Sequence, residues 1–148
     1  MNAPILKIVD PTYSIVSYPA AKLPAEYKSI IFAKWLRTFR SGNPLIKNID
    51  TGAFYDMYHK YIENLLAKPD SIIKLAVLTD TPDVVLGFSV SREDVLDYIY
   101  VHPDNRKIGI AKKLFPKDTK VMTHITLKAL EIWRNNPKYK YLKYNPFA

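Results

Sequence analysis

The chain has 148 residues, 48% apolar and 24% charged, a composition that fits one folded domain spanning 1–148 and is too apolar for a disordered chain. It contains no cysteine, which excludes disulfides, thiolate metal ligands and cysteine nucleophiles. The formal charge of +8, from 22 Lys+Arg against 14 Asp+Glu, favours anionic partners such as nucleotide cofactors, nucleic acid or acidic proteins, although no block of consecutive basic residues marks a dedicated tract.

The opening residues Met1-Asn2-Ala3-Pro4-Ile5-Leu6-Lys7 lack a basic region followed by a sustained apolar stretch, so they do not read as a signal peptide. No window approaches the roughly 18 apolar residues of a membrane span. A cytoplasmic protein without membrane association is therefore expected.

Tyr13 to Tyr18 has strand character and is stopped by Pro19. After Pro24, the run Tyr27 to Phe39 places Ile30, Ile31, Trp35 and Phe39 at helical spacing, and Gly42 and Pro44 end it. Thr51 is positioned to cap a second helix through Leu66, with Phe54, Tyr58, Tyr61, Ile62 and Leu65 as its apolar stripe. The period then changes. Ile72–Leu78 and Val84–Val90, separated by Thr79-Asp80-Thr81-Pro82-Asp83, predict a hairpin, and Val95–Val101 predicts a third consecutive strand.

Beyond it come a turn at Pro103-Asp104-Asn105, a short helix after Gly109, a strand around Lys120–Thr123, a helix over Thr126–Asn135 and an extended tail from Tyr141 to Phe147. A hairpin followed by strand, helix and strand predicts an α/β (α+β) domain with a mixed central β-sheet and helices on both faces.

Chemistry concentrates where the third strand meets the short helix. A strand running through Tyr98-Ile99-Tyr100-Val101 enters a basic turn, and the turn opens a helix with small residues. Unpaired N–H groups and the helix dipole suit such a start to an anion like pyrophosphate. Gly109 and Ala111 leave the backbone approachable, while Arg106, Lys107, Lys112 and Lys113 add positive charge. The alternative is a basic turn that binds nothing.

Arg106-Lys107-Ile108-Gly109-Ile110-Ala111 resembles the Arg/Gln-x-x-Gly-x-Gly/Ala signature of the GNAT N-acetyltransferase superfamily. Tyr100-Val101-His102-Pro103 resembles the strand end before that signature, and Leu86-Gly87-Phe88 resembles the family's hairpin. The order of elements from Tyr13 to about Thr126 is also similar. Trp35-Leu36-Arg37, Phe39-Arg40 and Tyr144-Asn145-Pro146-Phe147 resemble, more loosely, small GNAT-like proteins of phages and prophages.

The resemblance implies a GNAT fold that binds acetyl-CoA or another acyl-CoA and needs no metal. The pantetheine arm would bond to the backbone of Ile99, Tyr100 and Val101, and the pyrophosphate would lie on Arg106, Lys107, Ile108, Gly109, Ile110, Ala111 and Lys112. Pro116 departs from the pattern by limiting the motif helix to about two turns. Little sequence follows Tyr141 for the last hairpin that the resemblance implies, and a homodimer partner is one way to complete the acceptor-side wall.

Acyl transfer to an amine needs a neutral amine, a stabilised oxyanion and a proton for the departing thiolate. Asp97, a carboxylate in an apolar strand, is the candidate base, the alternative being an ion-paired or edge-exposed residue. Tyrosine from the last segment is the acid that the resemblance implies, with Tyr144 first and Tyr141 next, unless each packs on the sheet. His124 is either a base or a bonded structural residue. Lys34, Arg37 and Arg40, at three-residue steps, form either a solvated face or a site for an acidic acceptor. His59, His102 and His124 lack close metal-ligand spacing.

The expected function is acyl-CoA-dependent N-acyltransfer to an unidentified amine by direct attack. The alternatives are a non-catalytic CoA-binding accessory protein and a nucleic-acid-directed modifier.

Overall fold

The structure, a computed structural model, describes residues 12–106 and 108–148. Lys107, one of the expected pyrophosphate contacts, lies outside them.

Strand β1 (Tyr13–Pro19) leads through a 3-10 turn (Ala20–Lys22) into helix α1 (Ala25–Ser41). Six apolar residues spaced along one stripe of α1, from Tyr27 to Phe39, are buried, so amphipathic periodicity orients this helix on the sheet. A one-turn helix α2 (Pro44–Lys47) follows. The sequence reading ended the first helix at Gly42 and Pro44 without it. Asn43 explains it, since its side chain accepts from the N–H groups of Leu45 and Ile46 and Pro44 stands at the first position.

Helix α3 (Thr51–Leu66) has the expected span, but its cap is Asp50, whose carboxylate accepts from Ala53 N–H. Thr51, the residue expected to cap, instead accepts a hydrogen bond from Arg40.

Strands β2 (Ser71–Leu78), β3 (Val85–Arg92) and β4 (Val95–Val101) form consecutive antiparallel hairpins, and β1, joined to β2 through the helices, pairs antiparallel with it. Arg92 pairs with Val95 across the two-residue turn Glu93-Asp94, where Glu93 takes a positive φ of 47°, as a tight hairpin turn requires. Helix α4 (Ile110–Leu114) crosses to β5 (Val121–Met122), and α5 (Leu127–Asn135), capped by Thr126, precedes β6 (Lys143–Tyr144). The six strands lie in chain order, with β5 parallel to β4 and β6 parallel to β5. The expected mixed sheet is present.

Helices cover both faces. The main core joins Ile31, Trp35 and Phe39 of α1 and Phe54, Ile62 and Leu65 of α3 to Ile73, Leu75, Phe88, Val90, Tyr98 and Tyr100. On the opposite face, Ile110 and Leu114 of α4 pack on Ala76, Leu86 and Val101. Trp133 of α5 and Phe115 reach the cluster of Leu96, Met122 and Leu142. Gly87 permits the close approach of strand and helix: a Cβ there would lie 2.5 Å from the Tyr100 carbonyl oxygen and 3.1 Å from Leu114.

Two skips in register shape the sheet. Ala76 and Val77 pair with Gly87 and Val85, passing over Leu86, and Val90 and Ser91 pair with Tyr98 and Leu96, passing over Asp97. Each is a bulge that sends neighbouring side chains to faces they would not reach on a regular strand. Leu96 therefore joins the Met122 cluster, while Tyr98 joins the α1/α3 core.

Candidate functional site

Strands β4 and β5 stay together only briefly. Val95 pairs with Val121 and Leu96 with Met122, and Thr123 N–H makes a last bond to the Leu96 carbonyl at 3.1 Å. Among the described residues, no strand borders that edge of β4 from Asp97 onward. On the other side, His102 N–H donates to the Leu86 carbonyl at 2.7 Å, which sets the alternation of the antiparallel ladder. Tyr98 and Tyr100 consequently bond to β3, and Ile99 and Val101 turn their N–H and C=O groups toward the gap. The Val101 carbonyl accepts from Arg106 Nε at 3.1 Å.

Of the three residues expected to hold a pantetheine arm, Ile99 and Val101 turn their backbone groups toward the gap. The Tyr100 backbone faces β3, and its side chain is buried against α1 and α3.

At the far end of this gap, His102 accepts the N–H of Asp104 through Nδ1 and shapes the 3-10 turn Pro103–Asn105. Gly109 follows with a φ of 84°, and a Cβ at that position would meet nothing within 4 Å. Glycine is thus required by the left-handed backbone, and the space beside it is open. The N–H groups of Ile110, Ala111 and Lys112 open α4 and have no partner within that helix. Arg106, Ile108 and Lys112 flank the turn, and α4 ends at Leu114, two residues before Pro116.

Asp97 sits at the opposite end of the gap, where β4 bulges, and is fully buried. Arg92 Nε donates to its Oδ2 at 2.7 Å, and Arg92 Nη2 and Thr123 Oγ1 each donate to its Oδ1 at 2.9 Å. The geometry is a bidentate ion pair with a third bond. Thr123 Oγ1 also bonds His124 Nδ1 at 2.8 Å, and His124 Nε2 bonds the Tyr58 hydroxyl at 2.6 Å.

The rings of Trp35, Phe39, Tyr58, Tyr61 and Tyr98 surround His124. Burial pushes its pKa down to about 4, against an opposing contribution from the Asp97 carboxylate, and the imidazole is neutral at neutral pH. Burial likewise raises the pKa of the Tyr58 hydroxyl, with Tyr61 and Tyr144 adding to the shift.

Sequence reasoning singled out Asp97 and His124 but missed Arg92, Thr123 and Tyr58. The available signal was Arg92 and Asp97 bracketing a tight turn, a spacing that brings opposite charges together across a hairpin.

Tyr144 lies on the edge strand β6, 48% exposed, and Tyr141 is 53% exposed. Tyr144 is close enough to Tyr58 and Tyr61 to raise the pKa of both hydroxyls, whereas Tyr141 joins no core cluster. The basic residues of α1 separate. Arg40 bonds the carbonyls of Ile46 and Ile49 and stands over the Phe54 ring, joining α1 to α2 and α3. Lys34 lies 6.0 Å from the centre of the Tyr100 ring. Trp35 is fully buried and stacks on Tyr98.

His59 pairs with Glu63 on the surface, and among the described residues no group of His, Asp and Glu is arranged for a metal ion. Two surface hollows, of about 590 and 410 Å³, lie between α1 and α3 around Phe32 and His59 and beside Trp133, away from the β4 edge. Among the described residues no helix is long and apolar enough to cross a membrane.

No family profile and no curated protein matches the chain. Among solved structures, a candidate acetyl transferase from Pyrococcus furiosus superposes with a TM-score of 0.54 at 18% identity, over 90% of this chain and 80% of that one. A ribosomal-protein-alanine N-acetyltransferase from Brucella melitensis gives 0.43 at 23% identity, over 70% and 66%. An aminoglycoside N-acetyltransferase in complex with CoA gives 0.43 at 15% identity, over 91% and 76%. Neither named source is a phage. The six-stranded mixed sheet, covered by helices on both faces and opened between β4 and β5, is thus the acetyltransferase-type fold that the sequence resemblance implied.

Proposed function

We propose that this chain is an acyl-CoA-dependent N-acyltransferase that passes an acetyl or similar acyl group to an amine by direct attack. One observation carries the reading: β4 parts from β5 and leaves the backbone groups of Ile99 and Val101 facing a gap, with the Gly109 turn at its mouth. An extended amide-containing arm fits such an edge as an added strand would. The open amides of Ile110, Ala111 and Lys112, with Arg106, Ile108 and Gly109 around them, fit a pyrophosphate.

In this reading the neutral amine attacks the thioester carbon, the oxyanion collapses as the C–S bond breaks, and the thiolate leaves with a proton. The proton lost by the amine nitrogen returns through solvent to the group that donated it. Tyr144 is the assigned proton donor, since it is half exposed, pairs in register with Met122 at the end of β5 and acts on the Tyr58 and Tyr61 hydroxyls. Asp97 acts as a positioning residue rather than an exposed base, because both its oxygens already accept hydrogen bonds. That same engagement favours a second reading, a CoA-binding protein without turnover. A homodimer completing the wall beyond the short edge strand β6 is compatible with either, and a phage origin has no independent support.

The test is thermal and chemical denaturation with acetyl-CoA, CoA and duplex DNA in parallel. Acetyl-CoA at a hundred times its dissociation constant should add about 2.7 kcal/mol. Binding to DNA should be weak and should vanish as salt rises. Absence of both a stability shift and calorimetric acetyl-CoA binding refutes the cofactor assignment. Binding without thiol release from any of a panel of amines selects the second reading.

A further inference from the structure

The hydrogen bonds around His124 run in one direction. A carboxylate only accepts, so the single hydroxyl proton of Thr123 is directed to Asp97 at 2.9 Å. The Thr123 oxygen must then accept from His124 Nδ1, 2.8 Å away, which places the ring proton on Nδ1. His124 Nε2 is left as a bare lone pair, and Tyr58, 2.6 Å distant, must donate to it. The depressed histidine pKa agrees with a neutral ring carrying one proton. Tyr58 is therefore a phenol whose proton is committed inward.

Four features meet at that oxygen. Its remaining lone pairs accept hydrogen bonds and cannot donate one. His124 directly follows Thr123, whose N–H makes the last bond to β4, so Tyr58 stands beside the vertex of the gap. The Asp97 charge nearby is matched by Arg92, so an ammonium gains little from it. The Tyr61 and Tyr144 hydroxyls stand close by, with no side-chain hydrogen bond among the described residues. A group that offers N–H without a positive charge satisfies all of these conditions.

We propose that the Tyr58 oxygen, held as an obligate acceptor by His124, Thr123 and Asp97, is a docking point for the N–H of an uncharged amine. This assignment rests on the acyltransferase reading, for which it names the form of the acceptor: an amine bound with its nitrogen lone pair free to attack.

The probe is 2,2,2-trifluoroethylamine, largely unprotonated at neutral pH, followed by fluorine NMR on the full chain without CoA. Saturable binding is expected for the wild type. Tyr58→Phe should weaken it at least tenfold, and trifluoroacetate, an acceptor-only anion, should not bind. Thr123→Val, which keeps Tyr58 but frees the histidine to carry its proton on Nε2, should weaken amine binding similarly. Nitrogen-15 NMR of histidine should show His124 protonated on Nδ1.

No saturable binding, equal binding to Tyr58→Phe, or a wild-type proton on Nε2 overturns the proposal. Acetyl-CoA calorimetry on the same samples separates the two readings, since loss of CoA binding would refute the acyltransferase while leaving the amine result standing.

Discussion

Burial of His124 makes the fold sensitive to mild acid. The folded imidazole has a pKa of about 4 against 6.5 for the free side chain. As pH falls below 6.5 the unfolded chain binds a proton that the folded chain refuses until about pH 4. The stability that neutral His124 contributes is thus fully present above pH 6.5 and is lost progressively down to about 4. At 1.36 kcal/mol per unit this amounts to about 3 kcal/mol, a large share of the 5–15 kcal/mol that holds a typical domain.

Asp97, Arg92, Tyr58, Tyr61 and Tyr98 face the ring. Of these, Asp97 favours the charged form and Arg92 and desolvation oppose it. Urea unfolding of wild type and His124→Asn at about pH 7 and 4.5 isolates the effect, because other carboxylates contribute alike to both proteins. The wild type should lose about 2–3 kcal/mol more than the variant over that interval. An equal loss in the two proteins, or a His124 ring that titrates near its ordinary pKa by NMR, would refute the reasoning.

Gly109→Val should cost about 1–2 kcal/mol through the left-handed backbone alone, because open space surrounds the missing Cβ. It should also abolish the acetyl-CoA shift, and denaturation with and without ligand separates the two effects. Gly87→Ala should cost about 1–3 kcal/mol or more, since its methyl would press on the Tyr100 carbonyl rather than on a flexible side chain. A change below about 0.5 kcal/mol by urea unfolding would contradict that packing. Asp97→Asn should destabilise by about 3 kcal/mol or more by leaving buried Arg92 without its ion pair. Full stability in that variant would mean the pair is not formed in solution.

Much of the fold was legible because it is local. Alternation and turn residues marked β2, β3 and β4, helical spacing marked α1 and α3, and Gly109 marked a backbone that only glycine adopts readily. The gap was legible in part, since Ile99 and Val101 belong to the predicted strand. That they face away from β3 while Tyr100 faces it depends on register, which a single strand does not encode.

The least legible feature was the state of Asp97. A carboxylate in an apolar strand reads as a base or as an ion-paired or edge-exposed residue, and the choice depends on a one-residue bulge. The skip past Asp97 brings it to Arg92 across the turn and to Thr123, 26 residues away and just past the end of β5. The same contact sets the direction of the bonds through His124 to Tyr58. Sequence by itself determined which segments are strands and helices and where a glycine turn opens a short helix, because those follow from near-neighbour spacing. Only the tertiary structure decided which polar groups meet, because their meeting depends on the bulge and on the place where β5 leaves β4.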